Sequence, residues 1–272
     1  MINFQEKHVI ITGGSSGIGK EVAKLLAREG ANISIIARDR TKLASAQQEI
    51  ALESTSTQQR IIALSADVCQ RQEIEIAIEK AIASIGSPDI LVTCAGIAHP
   101  GYFRELPLEI FENTMAINYF GSLYAIKAVL PVMEKQKRGH LVLISSGAGL
   151  IGIYGYTPYS PTKFALRGLG ESLRGELKLF GIKVSIVYPP DTDTPQLEAE
   201  KKTKPPETKL ITGGAQTWSA QDVAKEILKG IVQEKFAITP GLEMGLLNRF
   251  HSLLAPILQW YFDHIVAKVQ KS

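Results

Sequence analysis

Seven short apolar runs recur along the chain, at 8–12, 32–37, 60–65, 89–93, 140–145, 183–188 and 236–239, and none alternates apolar with polar positions. A strand covered on both faces has no polar side to show, so these runs predict a parallel sheet buried between two layers. The segments between them, at about 17–29, 40–53, 71–85, 109–136, 158–180 and 220–234, carry helical spacing. In the first, Val22, Leu25 and Leu26 recur at i, i+3 and i+4 ahead of Gly30, where a helix can stop. Strand and helix in alternation predict an α/β fold, a single Rossmann-type doubly wound parallel sheet with helices on both faces. With no internal repeat, low-complexity tract or composition break, one domain is expected over 1–240 and an amphipathic helical tail over 241–272.

Two stretches escape the alternation. Residues 189–218 hold Pro189, Pro190, Pro195, Pro205, Pro206, Gly213 and Gly214, and a long irregular loop in a compact domain is usually functional, which predicts a substrate lid. In 246–266, Leu246, Phe250, Leu253, Leu254, Ile257, Leu258, Tyr261 and Ile265 fall at helical spacing, interrupted by Pro256. This tail is expected to pack on the domain or a partner subunit, or to lie on a membrane surface.

Hydrophobic residues at 45%, charged residues at 21% and a net charge of +3 describe a globular chain and give no footprint for nucleic acid. The cluster Lys201, Lys202 and Lys204 is expected to be a solvated loop. No basic segment followed by an apolar core opens the sequence, and no run reaches the roughly 18 apolar residues that span a bilayer. A cytoplasmic protein is expected, peripheral to the cytosolic face of a membrane if the tail binds one. Cys69 and Cys94 lack metal-ligand spacing, so no metal site is expected and both are taken as buried, reduced residues.

The candidate chemistry begins with Tyr159 and Lys163, an i, i+4 pair that a helix places on one face. A lysine there stabilises a phenolate and is expected to lower the Tyr159 pKa, making the tyrosine a general acid and base. Thr12-Gly13-x-x-x-Gly17-Ile18-Gly19 follows the first strand and opens the first helix, a turn whose backbone can approach a pyrophosphate; Ser15 and Ser16 lie within it. The second strand ends in Ala37-Arg38, with Lys42 one turn on, where a 2′-hydroxyl reader would have a carboxylate. Arg38, Lys42 and Ser15 are therefore expected around a 2′-phosphate, which selects NADPH; Asp39 has the opposite sign. Asp67-Val68 ends the third strand and is placed for an adenine amine.

Together with Cys94-Ala95-Gly96, Asn118 and Ser146, these residues resemble the short-chain dehydrogenase/reductase family in order and spacing over roughly residues 5–239. The resemblance implies a catalytic tetrad of Asn118, Ser146, Tyr159 and Lys163, with Ser145 the alternate to Ser146. It implies a nucleotide lined by Gly13, Ser15, Ser16, Gly17, Ile18, Gly19, Arg38, Lys42, Asp67, Val68, Ala95, Gly96, Pro189, Thr192 and Thr194, besides Tyr159 and Lys163. Departures are Thr93-Cys94 where many members have two asparagines, Pro161 inside the Tyr159 motif, and Pro189-Pro190 where Pro-Gly is usual. Proline fits a first helical turn, so Pro161 predicts that a helix begins at the motif.

The stretch 188–195, with 203–208 and 159–168, is similar to that of 3-ketodihydrosphingosine reductases, a branch of the family. That similarity implies NADPH-dependent reduction of a long-chain keto-amine lipid, 3-dehydrosphinganine, to sphinganine. It also implies a homo-oligomer, dimer or tetramer, through helices 109–136 and 158–180, and endoplasmic reticulum attachment in a eukaryote. In this picture Asn118 holds a relay water, Leu150, Ile151, Ile153, Tyr154 and Tyr156 line an apolar trough, and Asp191 and Asp193 meet the substrate ammonium. Reduction of another ketone, and nucleotide sensing without catalysis, are the competing readings.

Overall fold

The computed structural model describes residues 3–214 and 216–270. In chain order its elements are β1 (His8–Thr12), α1 (Gly17–Arg28), β2 (Asn32–Ala37), α2 (Arg40–Ala51), β3 (Ile61–Ser65), α3 (Arg71–Ile85) and β4 (Ile90–Thr93). The second half has α4 (Leu108–Met115), a π-helical turn (Ala116–Phe120), α5 (Gly121–Gln136), β5 (Gly139–Ile144), α6 (Ser160–Glu176) and β6 (Ile182–Val187). It closes with β7 (Thr192–Asp193), α7 (Pro195–Lys201), α8 (Pro206–Thr212), β8 (Trp218–Ser219), α9 (Ala220–Val232), β9 (Ala237–Ile238) and α10 (Gly241–Val269).

The main sheet has seven strands in the order β3-β2-β1-β4-β5-β6-β9, every pairing parallel. Successive strand residues go to opposite layers, as the pleat requires. Val9, Ile11, Ile33 and Val92 join the core of Val22 and Leu26 of α1 and Ile227 of α9. Ile10, Ile36, Leu91 and Leu141 pack with Ile78 of α3 and Ile126 of α5. Each such side chain contributes about 1.5–3 kcal/mol on burial, which is why runs without alternation form this sheet. Two buried histidines tie neighbouring strands: His8 Nε2 lies 2.8 Å from Ser34 Oγ, and His140 Nε2 lies 2.7 Å from Ser185 Oγ.

Strand order reverses at β1, whose neighbours are β2 on one side and β4 on the other, so a crevice opens at the carboxyl ends of these strands. The irregular lid expected over 189–218 is instead ordered: α7 and α8 lie within it, and β7 pairs with β8 in parallel. Its prolines start helices, Pro195 and Pro206 each falling in a first turn where the missing N–H costs nothing. The tail over Gly241–Val269 is two helices joined across a kink at Phe250, with Pro256 inside the second. Its first turns belong to the domain, since Leu247 packs with Leu150 and Tyr188.

Leu108–Gln136 is long and apolar enough to cross a membrane by length and composition. Here Ala125, Ile126, Val129 and Met133 of that run are core residues under the sheet.

Candidate active site

The crevice holds a cavity of about 350 Å³, lined at one end by Gly13, Ser15, Ser16, Gly17 and Ile18 and at the other by Ser146, Tyr156, Tyr159 and Lys163. Gly13 has φ +71°, and a Cβ there would sit 2.7 Å from the Ala95 nitrogen, so only glycine allows the β1 turn to close on the β4 turn. Gly17 has φ +53° and starts α1, whose N-cap Ser16 makes no side-chain cap bond. The first N–H groups of α1 are thus left for an anionic ligand. Gly19 stands behind this cradle, packed against the Gly13 carbonyl.

At the β2 end, Arg38, Asp39 and Lys42 all line the cavity. Asp39 is committed to the protein: its Oδ1 accepts from the Lys42 backbone N–H at 3.0 Å as the N-cap of α2. Arg38 is largely exposed, 3.8 Å from Asp67. Asp67 itself does not line the cavity; its Oδ1 accepts from the Cys69 N–H at 3.0 Å, whereas Val68 beside it does face the opening. Ala95, Gly96, Pro189, Thr192 and Thr194 are lining residues too.

β5 ends at Ile144 and delivers two serines to different tasks. The Ser145 hydroxyl is buried and donates to the Lys163 carbonyl at 2.9 Å. The Ser146 hydroxyl caps the next turn through Ala148 N–H at 3.2 Å and hydrogen-bonds Tyr159. Ser146, and not Ser145, is therefore beside the phenol. Tyr159 is the N-cap of α6, with Pro161 in its first turn, so the motif starts the helix as proline requires.

Lys163 is buried, donates a hydrogen bond to the Ile144 carbonyl at 2.9 Å, and holds its Nζ 5.4 Å from the Tyr159 ring centre. Burial pulls its pKa down to about 8. The Tyr159 phenol is pushed up, not down: burial and the nearby Glu200 carboxylate outweigh hydrogen bonds to Ser146 and Gln196. The lowering expected from Lys163 is not what dominates, because desolvation of a phenolate costs more than a cation stacked over the ring returns.

Asn118 lies in the π-helical turn with both amide protons engaged. Oδ1 accepts from Ile97 N–H at 2.9 Å, and Nδ2 donates to the Ile97 carbonyl and to Thr162 Oγ1, both at 3.0 Å. Both amide protons are taken, so a water here would be held by a carbonyl lone pair; the side chain braces the 96–97 backbone, where a Cβ on Gly96 would lie 3.3 Å from Asn118 Oδ1 and 3.7 Å from Lys163 Nζ.

Two missing asparagines before Ala95 leave the ladder intact. Cys94 N–H donates to the Thr12 carbonyl at 3.1 Å and Ala95 N–H to the Thr12 hydroxyl at 3.4 Å, while the buried Thr93 hydroxyl has no partner among the described residues. Cys69 and Cys94 are half-buried rather than buried, and burial lifts both thiols to about 11.

The lid supplies residues that the sequence patterns did not single out. Glu200 is buried against the cavity, accepting from the Tyr156 hydroxyl at 2.5 Å and from Gln196 Nε2 at 2.9 Å. Lys204, expected in solvent, is buried, 3.5 Å from Asp191 and 4.0 Å from Glu200. Their signal was the i, i+4 spacing of Gln196, Glu200 and Lys204 after a Thr194-Pro195 helix start. Of the apolar trough, Ile153 and Tyr156 reach the cavity; Leu150 packs into the core beside Tyr188, and Tyr154 stands edge-on to Tyr102 at 6.5 Å.

A family model described as short chain dehydrogenase matches residues 7–205. The chain is 42% identical to the 3-ketodihydrosphingosine reductase of Bos taurus, over 92% of this chain and 76% of the relative. It is 43% identical to the protein of that name from Dictyostelium discoideum, covering 92% and 83%, and 41% identical to the 3-dehydrosphinganine reductase of Danio rerio, covering 92% and 76%. Among solved structures, levodione reductase superposes with TM-score 0.78 at 22% identity, over 87% of this chain and 95% of that one. A short-chain type dehydrogenase/reductase from Mycobacterium ulcerans gives 0.77 at 25% identity, over 88% of each.

Proposed function

This chain belongs to the short-chain dehydrogenase family, and from that premise we propose that it reduces the 3-keto group of 3-dehydrosphinganine to give sphinganine, with NADPH as reductant. The carrying observation is that Ser146, Tyr159 and Lys163 meet at one end of a cavity whose other end is the glycine cradle, in a chain 41–43% identical to sphingoid ketone reductases.

The cradle fits a dinucleotide: positive-φ glycines and the uncapped start of α1 receive a pyrophosphate, and the lining residues continue to Lys163. A bound nicotinamide supplies the hydride for the ketone carbon. Tyr159 then gives its proton to the oxygen where negative charge develops, and its raised pKa keeps that proton in place at neutral pH. Ser146 is hydrogen-bonded to the same phenol, so it is positioned to hold the ketone oxygen against it. Lys163 stabilises the phenolate left behind, and Asn118 fixes the backbone under Lys163. The choice of NADPH is supported by Arg38 and Lys42 at the cavity edge, while the nearby carboxylate of Asp39 is engaged through Oδ1 as the N-cap of α2.

The lipid is collected at a membrane surface by the exposed stripe of Leu246, Phe250, Leu253, Ile257, Trp260 and Tyr261 on α10, with its aromatic pair at the interface. A homo-oligomer through the helices at 109–136 and 158–180 is supported by the exposed Phe120 and Phe164. The stripe also favours a membrane surface as the place of work.

The test is NADPH and NADH oxidation with 3-dehydrosphinganine and with an acetoacetyl thioester. Turnover with NADPH and the sphingoid ketone is expected; comparable or better turnover of the thioester would replace this substrate with another ketone.

A further inference from the structure

The proposed substrate carries an ammonium on the carbon next to its ketone. Whatever recognises that amine must lie close to the Tyr159 hydroxyl, and the inference that follows rests on this functional reading. On the lid, α7 presents Gln196 and Glu200 on one face, four residues apart. Gln196 hydrogen-bonds both Tyr159 and Glu200, the latter at 2.9 Å, so the Glu200 carboxylate is one side chain removed from the acid. It is 6% exposed and lines the cavity.

The local charges do not balance. Asp191 and Glu200 share one buried cation, Lys204, which is nearer Asp191 at 3.5 Å than Glu200 at 4.0 Å. Lys163, the other buried cation of the site, is directed to the Ile144 carbonyl and makes no ion pair with Glu200 among the described residues. A carboxylate buried without a full partner is costly, and a ligand cation relieves that cost. Two hydrogen bonds, from Tyr156 and Gln196, leave lone pairs of Glu200 free.

We propose that Glu200 receives the 2-ammonium of the substrate and is the residue that selects a keto-amine over a plain ketone. Asp191 is committed to Lys204, and Asp193 is exposed and off the cavity.

The experiment compares kcat and KM for 3-dehydrosphinganine and for a hydroxyketone of equal length lacking the amine, in the wild type, Glu200→Gln, Glu200→Ala, Glu200→Asp and Asp191→Asn, with NADPH fluorescence reporting the fold. The wild type should favour the amine by about 10- to 100-fold in kcat/KM, the scale of a hydrogen bond to a charged group. Both neutral Glu200 variants should bring that ratio toward one, through KM of the keto-amine, and the aspartate should recover most of it. Asp191→Asn should keep it. A ratio preserved in the neutral variants, or lost only in Asp191→Asn, overturns the assignment alone. Failure of the wild type to reduce either ketone overturns the functional reading and the assignment with it.

Discussion

The Lys163 ammonium stands 5.4 Å from the centre of the Tyr159 ring while donating to the Ile144 carbonyl at 2.9 Å, so strand β5 holds the cation in place against the phenol. The pair sits at the N-terminus of α6, and the Lys163 hydrogen bond ties it to the sheet.

Removing that proton donor should therefore remove catalysis and little else. In Tyr159→Phe, turnover is expected to fall by about 10²- to 10⁴-fold, the usual contribution of a general acid. NADPH affinity, read by fluorescence, should stay near wild type, because the cradle of Gly13 and Gly17 is some distance along the cavity. A variant retaining a tenth of the activity would exclude Tyr159 as the acid.

Nucleotide choice should follow Arg38. Its guanidinium is largely exposed and only loosely paired with Asp67 at 3.8 Å, which leaves it free for a phosphate. Arg38→Ala is expected to raise the KM for NADPH by about 10- to 100-fold, the worth of a charge-assisted contact, and to change the KM for NADH little. Equal effects on both nucleotides would mean that Arg38 serves structure and not the 2′-phosphate.

The sheet and most of its helices were legible in the sequence because burial on both faces writes itself as unbroken apolar runs. Tyr159, Lys163, Ser146 and the glycine turn were legible because their chemistry depends on local spacing. The lid was not. Glu200 and Lys204 lie 44 and 48 residues after Tyr156, and their contact depends on how the lid folds back over the loop between β5 and α6. Proline content marked that segment as irregular, whereas Pro195 and Pro206 each begin a helix. Asn118 was found by spacing, yet its task depends on Ile97 and Thr162, which only the fold brings to it.

His140 gives the fold an acid limit. It is buried against Ser185, and desolvation pulls its pKa from 6.5 to about 4. Between those values the unfolded chain binds more protons than the folded one, so stability falls as pH drops through this window and is unaffected by this group above it. The loss by pH 4.5 is about 2–3 kcal/mol. His8, lowered in the same direction by burial, adds to it. Urea unfolding at pH 7 and pH 4.5 should show His140→Asn losing less stability than wild type by this amount; equal losses would mean that His140 is protonated in the native protein.

Helix α10 is divided between the domain and solvent. Its first turns are anchored, with Leu247 against Leu150 and Tyr188, but Leu253, Ile257 and Trp260 are 72%, 62% and 70% exposed on one stripe. At i, i+4 and i+7 these side chains face the same way, and an apolar stripe of this size left in water favours a lipid surface or a second copy. Leu253→Ser, Ile257→Ser and Trp260→Ser together should lower association with phosphatidylcholine and phosphatidylserine vesicles by at least tenfold in a flotation assay. None of the three lines the cavity, so turnover of a short, water-soluble keto-amine should hold. If vesicle binding persists and the oligomer falls apart in light scattering, the stripe is a subunit interface and the lipid must enter another way.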